Sequence, residues 1–63
     1  MTGELTPRQR QIAELLRYGL SNKEIARKLD IQAGTVKLHL HGAYERLGVN
    51  SRWKLVAKLE GRT

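Results

Sequence analysis

The sequence predicts an all-α fold, a compact four-helix bundle with helices near residues 7–18, 22–29, 33–47 and 52–59. Three observations predict it. Apolar residues recur at helical spacing through four segments. Three of those segments open on a hydroxyl residue suited to an N-cap: Thr6, Ser21 and Ser51. Two of them close on a glycine, Gly19 and Gly48, where a left-handed C-cap is expected.

Length and composition bound the rest. Sixty-three residues make one domain. A chain of that size buries only about 60% of the surface its unfolded form exposes. It contains no cysteine, so neither a disulfide framework nor a cysteine-based zinc site can staple it. That suits a reducing compartment, and a cytoplasmic location is expected. Apolar runs are only two or three residues long, so neither a membrane span nor a secretion signal is read. Twelve Lys and Arg against six Asp and Glu give a net charge of +6 and a pI near 10.4. On so small a body that excess favours a polyanionic partner or serves as solubilising charge, and the positions of the charges decide between the two.

Met1 to Glu4 is expected to be a flexible lead, and a methionine so close to the first helix is expected of a fragment cut from a longer protein. In the first helix Thr6 caps, Pro7 occupies the first helical position and Gln9 completes a capping box. Ile12, Ala13, Leu15 and Leu16 supply the apolar stripe, and Arg8, Arg10 and Arg17 lie off it as solvated charge. The second helix has the stronger start: Ser21 caps, Glu24 is its capping-box partner, and Leu20 with Ile25 forms a hydrophobic staple. Ile25, Ala26 and Leu29 face inward, with Ala26 small enough to let another helix pass close by.

Asp30 falls where the following turn needs a positive φ, and Ile31 is expected to plug the angle between two helices. The third helix carries Val36, Leu40, Ala43, Tyr44 and Leu47 on one face and Gly34, Lys37, Leu38, His41 and Glu45 on the other. Lys37 and His41 stand one turn apart, with Leu38 beside them and no core to enter. Flanked by basic groups, that leucine suits a thymine methyl. Gly42 is anomalous, since glycine inside a helix costs roughly 1 kcal/mol relative to alanine. Either something passes close there, with a DNA backbone one candidate, or the position drifts. In the last helix Ser51 caps and Leu55, Val56 and Leu59 face inward. Trp53 has three readings open to it: a lid on the core, an anchor for a second copy, or a stacking partner for a sugar or base. Gly61 to Thr63 should fray.

A short capped helix, a tight turn and a longer helix with a basic outward face are the outline of a DNA-binding helix-turn-helix. Leu5-Thr6-Pro7-Arg8, Gly19-Leu20-Ser21-Asn22-Lys23-Glu24-Ile25-Ala26, Thr35-Val36-Lys37 with His39, and Leu47-Gly48-Val49 with Ser51-Arg52 resemble the LuxR-type (LuxR/FixJ/GerE) helix-turn-helix domain. That module is the C-terminal output domain of many bacterial response regulators and quorum-sensing regulators. The resemblance spans residues 5 to 59, within a domain taken as 5–60. It implies a transcriptional regulator that binds double-stranded DNA, with the third helix in the major groove. Lys37, Leu38 and His41 would reach base edges, and Ser21, Asn22, Lys23, Gln32, Thr35 and Arg52 would hold phosphates. It implies a homodimer on paired half-sites through the last helix, at Trp53, Lys54, Ala57 and Lys58, and leaves RNA polymerase open as a further partner. The chain departs from the family pattern at Asp30 (for a turn glycine), Gln32 (for a capping serine or threonine), His41 and Gly42 (for longer polar or basic side chains) and Trp53 (for a smaller residue).

An enzyme is not expected. His39 and His41, two apart on a helix, point about 200° from each other and cannot share a metal. No hydroxyl nucleophile has an evident base and no carboxylate pair faces a cleft. Hence no catalytic residue, metal, cofactor or small-molecule ligand is assigned, and no membrane contact. Two rivals remain: a domain like the fourth region of a bacterial sigma factor, which shares the Glu-Ile-Ala and Gly-Thr-Val-Lys elements, and a basic helical module that docks an acidic protein. The Leu-Gly-Val-Asn-Ser-Arg ending argues against the first, and the placement of Lys23, Lys37 and His41 against the second.

Overall fold

The computed structural model describes residues 4–61, so residues 1–3 of the expected lead and 62–63 of the expected frayed end lie outside it. The helices run in the order α1 (Pro7–Arg17), α2 (Asn22–Leu29), α3 (Ala33–Leu47) and α4 (Arg52–Leu59). α1 stops one residue short of the expected range. Tyr18 is its C-cap, donating its N–H to Leu15 O at 3.1 Å, and Gly19 at φ +84° donates to Leu16 O at 2.9 Å as it leads the chain away.

Both expected capping boxes are formed. At α1 the Thr6 hydroxyl accepts from the Gln9 N–H at 3.1 Å while the Thr6 N–H donates to Gln9 Oε1 at 3.0 Å. At α2 the Ser21 hydroxyl accepts from the Glu24 N–H at 3.1 Å and the Ser21 N–H donates to Glu24 Oε1 at 2.8 Å. Ser51 caps α4 through the Lys54 N–H at 3.2 Å. Gln32 precedes α3 in an extended conformation but makes no side-chain cap bond, so the first N–H groups of α3 carry no such partner.

α2 and α3 end alike. Asp30 sits in the left-handed region (φ 58°, ψ 47°), and the next residue, Ile31, donates its N–H five residues back to Ala26 O at 2.9 Å. Gly48 (φ 69°) repeats the arrangement, and Val49 donates to Tyr44 O at 3.0 Å. In this motif the residue after the left-handed one folds its side chain back on the helix. Accordingly Ile31 and Val49 both pack against the core.

Nine apolar side chains form that core: Ile12, Ala13 and Leu16 of α1, Ile25 and Ala26 of α2, Val36, Leu40 and Ala43 of α3, and Leu55 of α4. α3 packs against each of the other three helices, whereas the backbones of α2 and α4 make no close approach to each other among the described residues. Tyr44, Leu47, Val56 and Leu59 close the edges of the core as half-buried residues.

Gly42 is explained by α1. A Cβ built at Gly42 would stand 2.5 Å from Gln9 Nε2, and Gln9 is buried with its Oε1 held by the capping box. The close approach is therefore by the capping residue of a neighbouring helix. Gly42→Ala should fail to deliver the roughly 1 kcal/mol of helix propensity that alanine offers, yet deliver it once Gln9→Ala has removed the obstacle. Urea unfolding of the four proteins of that cycle should give a coupling between the two sites on the order of 1 kcal/mol, and simple additivity would contradict the account. Asp30→Val should destabilise by about 1–2 kcal/mol because a β-branched residue resists the left-handed region. Asp30→Gly should leave stability equal or raised in the same measurement.

Candidate nucleic-acid interface

Because Val36, Leu40 and Ala43 are committed to the core, helical geometry turns the opposite side of α3 to solvent. Lys37, Leu38 and His41 are all exposed there. Leu38 is 73% exposed, so it serves no packing role inside the domain. The His41 ring is braced on one side by Tyr44, with ring centroids 6.1 Å apart and planes tilted by 31°. Exposed Glu45, one turn further on, ends the basic stretch of this face.

The residues at the start of α2 form a second group. Ser21 is committed as a cap, and Lys23 is exposed. Asn22 is half-buried, and its Oδ1 is sealed from solvent with no hydrogen-bond partner among the described residues. An acceptor left so costs stability. Gln32 and Thr35 lie beyond the other end of α2, across the tight turn, with its eight residues between them and Ser21–Lys23. The structure therefore does not gather the expected phosphate contacts into one cluster; it divides them between the two ends of α2.

Arg52 carries an interaction that sequence reasoning did not find. Its Nη2 donates to the carbonyl of Leu20 at 3.1 Å, tying the start of α4 to the residue before the α2 cap. The two residues are 32 positions apart, and no local signal links them. Trp53 is 80% exposed, which removes the core-lid reading. Lys54 and Lys58 are exposed on the same helix and Ala57 is half-buried.

The remaining charges fall into two kinds. Arg17 is paired, with Nη1 2.9 Å from Glu14 and Nε 3.9 Å from Glu60, and Arg46 donates to the carbonyl of Glu4 at 3.0 Å. Neither Lys23 nor Lys37 has an ion-pair partner among the described residues. The hydrogen bonds that Glu24 accepts from the Ser21 backbone and side chain, assisted by Arg27, hold its carboxyl below the ordinary value of 4.5.

Four helices, the second and third joined by a tight turn and the third offering a basic face, define a helix-turn-helix domain of a DNA-binding regulator. The chain belongs to the luxR family of bacterial regulatory proteins, whose family model matches residues 3–59. The nitrate/nitrite response regulator protein NarL of Escherichia coli (strain K12) is 47% identical over 49 residues, 78% of this chain and 23% of NarL. The monoamine regulon transcriptional regulator of Klebsiella aerogenes is 44% identical over 54 residues, 86% of this chain and 24% of that protein. The chain thus spans less than a quarter of the length of these two relatives. Among solved structures, the response regulator StyR superposes with a TM-score of 0.85 at 41% identity, over 92% of this chain and 29% of StyR.

The Glu24 geometry makes an acid-side prediction. A group with a lowered folded pKa stabilises fully above its unfolded value and loses that contribution as pH falls through the folded value. The reciprocal cap should therefore be intact above pH 4.5 and weaken only below it. An NMR titration of the Glu24 carboxyl should find its midpoint below 4.5; a midpoint at or above it would contradict the cap geometry.

Proposed function

We propose that this domain binds double-stranded DNA sequence-specifically as the output part of a bacterial transcriptional regulator, with α3 in the major groove. The observation that carries the reading is the outward face of α3, where Lys37, Leu38 and His41 stand exposed opposite a fully buried stripe. In this reading Lys37 and His41 donate to base edges and Leu38 packs on a thymine methyl. Ser21, Asn22 and Lys23 take phosphates on one side of the groove, and Thr35, Gln32 and the uncapped first turn of α3 take them on the other.

A single copy neutralises few phosphates, so two copies on paired half-sites supply the affinity and the specificity. The exposed strip of α4 with Trp53, Lys54 and Lys58, and with Ala57 at its edge, is the pairing surface in this proposal. Residence in the bacterial cytoplasm, on the nucleoid, belongs to the same reading. The protein-docking alternative has less support: among the described residues Leu38 is the only large exposed apolar residue on α3, whereas a seat for a partner helix needs a longer apolar strip.

Selection from a random duplex pool, followed by titration of the winning and a scrambled site over several salt concentrations, tests the proposal. A recurring motif bound well above the scramble is expected. Absence of binding to either duplex at low salt would sink it. Lys37→Ala should weaken the selected site by about 1–3 kcal/mol and relax preference at one base position. An equal loss on every sequence would reassign Lys37 to phosphate.

A further inference from the structure

The start of α4 and the entry to α2 are joined by one side chain. Arg52, the first residue of α4, donates to the carbonyl of Leu20, and Leu20 immediately precedes the α2 cap. The backbones of α2 and α4 make no close approach of their own among the described residues. Tyr18 and Gly19 just before Leu20 are exposed, with Gly19 at φ +84°, while the Leu20 side chain packs half-buried against the core. α4, by contrast, is a firm anchor. Ser51 caps it, and Leu55 is wholly buried against the core. Arg52 lines a groove of about 330 Å³ with Leu16, Arg17, Gly19, Trp53 and Val56.

We infer that Arg52 is a positioning residue for DNA binding. Through the Leu20 carbonyl it sets the angle at which α2 begins, and with it the place of Ser21, Asn22 and Lys23. It does not itself hold a phosphate, as the family resemblance had implied. The inference rests on the reading of the start of α2 as a phosphate-binding end. It also follows that a displacement of α4 is transmitted to that end by this bond. Arginine suits the task because its planar, permanently charged fork reaches a carbonyl without a competing geometry.

Arg52→Met tests this, since methionine keeps an apolar stem in the groove and removes every donor. In the free domain the backbone amides of Leu20 to Glu24 should shift, with little change in the melting temperature. On a scrambled duplex, binding should weaken several-fold, and Lys23→Ala should cost less in the Arg52→Met background than in the unsubstituted domain, because the contact that Arg52 places is already weakened. An equal, additive cost of Lys23→Ala in both backgrounds, with unmoved Leu20–Glu24 amides, would make Arg52 a phosphate ligand and overturn the inference. Unchanged affinity would overturn it as well. Arg52→Gln, which keeps one neutral donor, provides the same readouts if the methionine variant folds poorly. Should the unsubstituted domain bind no duplex, the proposed function fails, and the free-domain amides alone still decide whether Arg52 holds Leu20 in place.

Discussion

The structure depends on the apolar stripe of α3. Val36, Leu40 and Ala43 are the common surface on which α1, α2 and α4 pack, and fully burying a Val or Leu side chain is worth about 1.5–3 kcal/mol. In a domain this small that contribution cannot be spread elsewhere, so the rotation of α3 about its own axis is fixed by the core. The solvent face follows from that rotation. Lys37, Leu38 and His41 are outward because the residues on the other side have no alternative place to go.

Two left-handed turns convert that packing into a defined geometry. At Asp30 and Gly48 the chain leaves its helix in the same way, and Ile31 and Val49 fold their side chains back on the core. The first turn sets the angle between α2 and α3; the second releases the chain toward α4. Aspartate at the first turn is a compromise, since glycine adopts this conformation without a Cβ conflict. The mutual fit of Gln9 and Gly42 plays a comparable part between α1 and α3, where a cap and a missing side chain occupy one space.

The charges divide along the same lines. Arg17, Arg46 and Arg52 are engaged with carboxylates or carbonyls of neighbouring segments and fasten the periphery of the bundle. Lys23 and Lys37 are left to solvent, on the two helices of the helix-turn-helix. The excess of +6 is therefore arranged, with part of it structural and part available to a polyanion.

The sequence by itself determined the helices, their caps and the sidedness of α3. Each of these is local: a capping box spans four residues, a left-handed turn one or two, and an apolar stripe repeats every three or four. The Asp30 turn and the missing cap at Gln32 were legible for the same reason. Only the tertiary structure decided what Gly42 makes room for, that Trp53 is no core lid, and that Arg52 reaches Leu20. Those are relations between segments distant in sequence, 32 residues apart in the case of Arg52. Helical periodicity states which way a side chain points from its own axis, and nothing in it states which neighbour stands there.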